Sequence, residues 1–200
     1  VPTSATGFSA AGIIVASVTT GTTLIANNMI SGISALSTSP DIAVGIYALG
    51  GTGSATQVFY NSVSMSGTRG AATFPSYSFA LRADNTFDVR DNIFVNTQTS
   101  SSTGKSYAIA SGSTTFVNLV SDYNDLYVSG TNTFIGQTGG IGTTGTDRLT
   151  LADWRTATGK DANSINVLPV FTSATDLHLV TVSNPGLNNL GTPVSVTDDI

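Results

Sequence analysis

The densest group of chemically capable side chains in this 200-residue chain lies in "LRADNTFDVRDN", residues 81–92. It sets Arg82, Asp84, Asp88, Arg90 and Asp91 close together. Clustered aspartates with arginine suit acid–base work or Ca²⁺ binding. On an extended backbone, alternation turns Arg82, Asp88 and Arg90 outward. A catalytic groove needs several carboxylates converging from adjacent segments. The neighbouring segments aligned below offer Leu24 and Gln57 beside Asp88, and Ala26 and Phe59 beside Arg90. One charged segment therefore reads as a surface ion pair, Asp88 with Arg90. Arg82, Asp84, Asp88 and Arg90 remain the candidate ligand-binding residues, and no catalytic residue is assigned.

Other chemistries find little material. Cysteine is absent, which excludes disulfides and thiolate metal sites. A single histidine, His178, excludes a multi-histidine centre, so neither a metal nor a cofactor is expected. His178 sits in "TDLHLVTV", facing outward between Leu177 and Leu179, and reads as a solvated strand residue. No Gly-rich phosphate loop and no Ser/His/Asp set is present. Thr23, Thr56, Thr86 and Thr115 recur once per unit, not in the paired rows that an ice-binding face requires.

The elements that position these residues are short strands. Charged residues are 10% of the chain, against roughly a quarter in an ordinary globular protein. Hydrophobic residues make up 40%, enough for a sizeable core, and all twelve acids are aspartate. Ser and Thr exceed a quarter of the sequence, and there are 21 glycines. This composition favours strands and turns over helices. A net charge of −5 opposes a nucleic-acid or anionic-membrane partner. No apolar run is long enough to insert into a bilayer. Val1 begins without a charged n-region or apolar h-region, which reads as a mature or excised piece of a longer protein.

A repeat organises the chain. Asn28, Asn61, Asn92 and Asn124 follow one another at spacings of 33, 31 and 32 residues. Upstream of each stand two apolar stretches, such as "GIYALG" (45–50) and "TQVFYN" (56–61); a third, such as "YNSVSM" (60–65), carries the asparagine. Each unit thus holds three strands in fixed order. Ile25, Val58 and Val89 align in the second strand, and Ile30, Val63, Phe94 and Leu126 in the third. In the first strand, Ile13/Val15, Ile46/Ala48, Phe79/Leu81 and Tyr107/Ile109 are expected to share the inner face.

Such a repeat predicts an all-β, right-handed parallel β-helix with three strands per coil, because stacked coils bury what one coil cannot. The core coils are expected over 8–135 of a single domain, 1–200. A C-terminal segment, 136–200, would carry a short helix at 151–158 and terminal strands. Thr150 and Asp153 form a capping box there, Leu149 and Trp154 match a hydrophobic staple, and Gly159 ends the helix. Trp154 is expected to be a packing anchor. The asparagines are expected at tight corners, in left-handed backbone, forming an amide ladder between coils.

The "GIYALG…TQVFYNSVSM" unit and the closing stretch "LADWRTATGKDANSINVLPVFTSATDLHLV" resemble the right-handed parallel β-helix repeat proteins with a pectin-lyase-like fold. That resemblance implies a secreted or cell-surface bacterial protein. Some members are polysaccharide lyases or glycoside hydrolases, and many have no known activity. The expected function is a non-catalytic structural or adhesive module, a spacer, adhesin or filament subunit in contact with an extracellular glycan. The alternative is a carbohydrate-active enzyme.

One surface stands out. Outward positions of the first strands read Ile14, Tyr47, Ala80 and Ala108, then Ala16, Leu49, Arg82 and Ala110. Seven of these eight are uncharged, which is unusual for a solvent-facing sheet. Ile14, Tyr47 and Leu49 are therefore the candidate interface residues. Their expected partner is a second copy of the chain or an adjoining part of the native protein. The chain's own loops, such as 66–76, could also cover the stripe.

Overall fold

The computed structural model describes residues 10–15, 18–35, 41–51, 53–82 and 85–197. Asp84 and Ala16 lie outside the described residues.

Three short strands recur along the chain in fixed order. They are β1 (Ala10–Val15), β2 (Gly21–Ala26) and β3 (Met29–Ser31), then β4 (Ala43–Ala48), β5 (Ser54–Phe59) and β6 (Ser62–Met65). The third and fourth sets are β7 (Ser76–Leu81), β8 (Thr86–Arg90) and β9 (Ile93–Asn96), then β10 (Ser106–Ser111), β11 (Leu119–Asp122) and β12 (Asp125–Val128). Each strand pairs in parallel with its equivalent one turn away, so β1, β4, β7 and β10 stack in one sheet. The orders β2-β5-β8-β11 and β3-β6-β9-β12 make the other two. The result is an all-β parallel solenoid, in which β1 to β10 spans about three turns. On the first sheet β13 (Thr133–Thr138) adds in parallel and β14 (Thr146–Arg148) antiparallel. A single helix follows, α1 (Leu151–Thr158).

Inside the coils, residues stack on their equivalents. Ile25, Val58 and Val89 form one column, and Ile30, Val63, Phe94 and Leu126 another. The Phe79 and Phe94 rings lie 5.0 Å apart, nearly parallel, and tie the first sheet to the third. At Gly45 these two sheets approach so closely that a Cβ would sit 2.3 Å from a Val63 methyl. One coil on, Ser78 fills the equivalent place, and its hydroxyl donates to Val95 O at 2.6 Å.

This close approach corrects the expected register of the first strand. Gly45 and Ile46 both face the interior, as do Ser78 with Phe79 and Ala108 with Ile109. Strict alternation therefore breaks in mid-strand. Tyr107 pairs with Tyr77, not Phe79, and Ile109 pairs with Phe79. Tyr107 lies on the outer side, its ring 5.1 Å from that of Tyr77. The outward row runs Ile14, Tyr47, Ala80, Ala110, while Ala108 is interior.

Part of that outer face, around Ala80 and Ala110, is covered by the chain itself. Ile42, Val44, Tyr77, Ala80, Tyr107 and Ala110 form a second buried cluster, joined by Phe134 and Ile141. The segment leading into β14 lies across it: Gly142 N–H donates to Tyr77 Oη at 2.8 Å, and Tyr107 Oη donates to Asp147 Oδ1 at 2.7 Å. Burial, followed for Tyr107 by its hydrogen bond to Asp147, raises the pKa of both phenols, so they remain neutral donors. Loop 66–76 is held from within by Arg69, buried to 1% exposure, which donates to Phe74 O and Lys105 O. Of the candidate interface residues, Ile14 is exposed, whereas Tyr47 and Leu49 are half-buried.

At the C-terminal end α1 closes the solenoid. Thr150 Oγ1 accepts from Asp153 N–H at 3.1 Å, and Asp153 accepts from Thr150 N–H at 2.9 Å, a complete capping box. Gly159 ends the helix in left-handed backbone. The expected staple differs. Leu149 is 62% exposed, while Trp154 is fully buried beneath β13, against Gly136. Beyond the helix, the alternating "TDLHLVTV" stretch forms one bridge, Phe171 with Leu179, and then a 3₁₀ turn at Thr181–Ser183.

Candidate functional site

The charged group of residues 81–92 is divided between two sheets. Arg82 follows β7 at the first sheet and is exposed. Asp88 and Arg90 share the outer face of β8, joined by two hydrogen bonds of 2.7 Å. The Asp88 carboxylate raises the Arg90 pKa, chiefly through those hydrogen bonds. Arg90 also lies over the Phe59 ring, 5.5 Å from its centroid. One coil further on, Asp122 on β11 lies beside Arg90. Its carboxylate is taken by the backbone and side-chain amides of Asn163 at 2.7 and 2.8 Å. The Asp88 and Asp122 carboxylates are therefore already paired, which suits a surface ion pair better than a proton-transfer site.

The asparagines form a continuous ladder at the corner between the second and third sheets. Asn28 Nδ2 donates to Asn61 Oδ1 at 2.8 Å, Asn61 to Asn92 at 2.9 Å, and Asn92 to Asn124 at 3.0 Å. Each backbone N–H of Asn28, Asn61 and Asn92 donates to the same acceptor. The left-handed residue is not the asparagine but the one before it: Asn27, Tyr60, Asp91 and Tyr123 have φ between 55° and 60°. That conformation turns the chain so that the following amide points inward and stacks, and it pushes the preceding side chain outward.

Beyond Asn124 the ladder is closed by the segment after the helix. Ser164 Oγ accepts from Asn124 N–H at 2.8 Å, standing in for the next asparagine. Asp161, 1% exposed, accepts from Asn124 Nδ2, Ser121 Oγ, Ser164 Oγ and Trp154 Nε1. Toward the N-terminus the ladder ends on Asn28, whose Oδ1 receives no hydrogen bond among the described residues.

Against these corners packs the C-terminal tail, leaving a groove that sequence reasoning missed. Its wider part, about 460 Å³, is bordered by Met29, Tyr60, Leu177 and His178. A smaller cavity of about 190 Å³ lies between Tyr60, Asp91, Tyr123 and Asp125 on the solenoid and Leu187 and Leu190 on the tail. Asp91 Oδ1 accepts from Thr192 N–H at 2.7 Å, and Asp125 Oδ1 from Val167 N–H at 3.0 Å. In both carboxylates Oδ2 is buried without a hydrogen-bond partner. Burial raises both pKa values, that of Asp125 to about 7. The signal available in the sequence was the acid beside a ladder asparagine, "DN" at 91–92 and "ND" at 124–125. His178 is exposed and bonded to Asp176.

Among the described residues no group of three histidine, cysteine or acidic side chains is placed to hold a metal ion. No helix among them is long and apolar enough to cross a membrane. The chain matches no family model, no curated protein and no solved structure. The pectin-lyase-like affiliation rests on the sequence resemblance alone.

Proposed function

We propose that this chain is a non-catalytic β-solenoid module of a secreted or cell-surface protein, a rigid segment that is extended by stacking a further coil on its N-terminal end. The observation that carries the reading is the difference between the two ends. The C-terminal end is closed by α1, Trp154 and Asp161. At the other end, β1, β2 and β3 are the outermost strands of the three sheets among the described residues. Proteins blunt exposed edges with charges, prolines or covering segments. None of the residues in β1, β2 or β3 is charged or a proline. Ile14 and Leu24, on these strands, are 52% and 53% exposed. Asn28 Oδ1, which has no donor among the described residues, is the acceptor that one more asparagine rung would fill.

A second copy meeting this end head to head would set one Asn28 oxygen against another. A further parallel coil with an asparagine at the same corner supplies donors instead. A glycan remains the expected partner along the flanks, with Arg82, Asp88 and Arg90 the exposed or half-exposed polar groups. The alternative, a carbohydrate-active enzyme on a pectin-lyase-like fold, is tested directly. Acidic and neutral polysaccharides are incubated with the protein and assayed for new reducing ends and unsaturated uronide absorbance. Background rates are expected. Turnover that disappears in Arg82→Ala or Asp88→Ala would overturn the non-catalytic reading.

A further inference from the structure

The tail that crosses the ladder corners is tied down at one end and nearly free beyond it. Asn184 is buried, and its side chain bonds the backbone of Val170 and Val180 through three hydrogen bonds. A turn follows at residues 185–189, with Asn189 in left-handed backbone. Residues 190–197 then form neither helix nor strand, and their exposure alternates. Leu190, Thr192, Val194 and Val196 are half-buried against the solenoid, while Gly191, Pro193, Ser195 and Thr197 are exposed. Among the described residues, the hydrogen bonds of this stretch to the solenoid run through Thr192. Its N–H donates to Asp91 Oδ1 at 2.7 Å, and its carbonyl accepts from Tyr60 Oη at 3.5 Å. The spaces of about 190 and 460 Å³ between tail and corners leave the apolar side of the stretch loosely packed. Few buried contacts and few hydrogen bonds are the conditions for local opening.

We propose that residues 190–197 form a strap that swings off the solenoid as a unit, hinged at the 185–189 turn and latched by Thr192 on Asp91, and that its opening controls access to the corner groove. The groove side chains uncovered with it are Met29, Tyr60 and Ile93. The latch is a carboxylate poorly served by water: a Cβ on Gly191 would lie 3.3 Å from Asp91 Oδ1, and Oδ2 is buried without a partner. Burial raises the Asp91 pKa, so the closed strap favours the neutral acid. Opening returns the group to water and to a lower pKa. Closure is therefore firmest at low pH and weakens as pH rises through the raised value. The charged groups facing Asp91 from the solenoid are Arg90, Asp88 and Asp122. Tyr60, Tyr123 and Asp125 stand around the cavity and His178 at the groove, while residues 190–197 contribute no titratable side chain.

Native-state hydrogen exchange of the Thr192 amide, the donor of the latch, reads the opening in the intact chain. It should exchange at least about a hundredfold faster than the core amides of β5 and β8. Its dependence on low concentrations of denaturant should be greater than zero and smaller than that of global unfolding, because the whole strap is exposed and the coils are not. Asp91→Gly removes the acceptor at a position whose φ of 60° suits glycine. Thr192 exchange should then rise at least about tenfold, with the core amides of β5 and β8 unchanged. Corrected for intrinsic exchange chemistry, Thr192 protection in the parent should fall between about pH 4 and about pH 8. It should stay level in Asp91→Asn, which keeps an acceptor and does not ionise. Thr192 exchange that occurs only with global unfolding would overturn the strap. So would a denaturant dependence of zero, the mark of one fluctuating bond. Unchanged Thr192 exchange in Asp91→Gly, or level protection across pH in the parent, would overturn the latch. If Asp91→Gly fails to fold, the parent and Asp91→Asn measurements still decide both points.

Discussion

Ladder asparagines and surface charges differ in what surrounds their polar atoms. Asn92 is buried, and its Nδ2 meets Val58 O, Arg90 O and Asn124 Oδ1 at 2.8 to 3.0 Å. Its Oδ1 also takes two donors from Asn61. Asn92→Ala leaves several of these groups unsatisfied in a dry site, so it should cost about 3 kcal/mol or more in a denaturant titration. Asp88→Ala removes a half-exposed pair and should cost under about 1 kcal/mol. Equal losses would show that the ladder is not what holds the corners. Asp125 adds a pH dependence. Burial raises its folded pKa to about 7, above the unfolded value near 4, so between these limits the folded state holds the extra proton. The stability that goes with it is complete below about pH 4 and is lost as pH rises through about 7. Asp91, also raised by burial, works in the same direction. Asp125→Asn should flatten unfolding free energy over this range and match or exceed the parent near pH 8. An unaltered slope would place the proton uptake elsewhere.

Helix α1 and strand β13 act as one closing element. Trp154 lies so close to β13 that a Cβ on Gly136 would fall 2.2 Å from its ring. The indole is fixed by its hydrogen bond to Asp161 at 2.7 Å and has no room to retreat. Gly136→Ala is therefore expected to displace the helix and destabilise by about 2–3 kcal/mol, as overpacked cores do. Thr150→Ala removes the cap alone and should cost about 1 kcal/mol. Trp154 fluorescence separates them: Gly136→Ala should red-shift the emission in the native state, and Thr150→Ala should leave it in place.

Among the described residues, one end of the solenoid is closed by α1, and at the other β1, β2 and β3 are paired on one side only. The solenoid's stability is a sum of coil and neighbour terms, so an uncovered terminal coil is the weakest. Hydrogen exchange should be fastest in β1, β2 and β3 and slowest in β5 and β8. Fusing a copy of residues 43–75 ahead of Ala10, in register, should slow exchange in β1–β3 and raise the denaturant midpoint. The same fusion with leucine at the copied Asn61 should lose much of that gain. Equal protection in the first and middle coils of the parent protein would contradict an open edge.

Much of this was legible from the chain alone, because a stacked coil repeats its chemistry locally. The 31-to-33-residue spacing of the asparagines, the aligned aliphatic columns of the second and third strands, and the Thr150–Asp153 box each depend on neighbours a few residues or one period away. Three features did not depend on such neighbours. The first strand breaks alternation at Gly45 and Ile46 because another sheet presses on it there, which no pattern within the strand records. The apolar outer stripe looks exposed in sequence, yet the segment before β14 arrives from outside the repeat to cover Tyr77 and Tyr107. Asp91 and Asp125 come from different coils and line one cavity only because residues near 187–191 fold back across both corners. Periodicity determines which side chains stack; the path of the non-repeating tail decides which of them are covered and which are left without a partner.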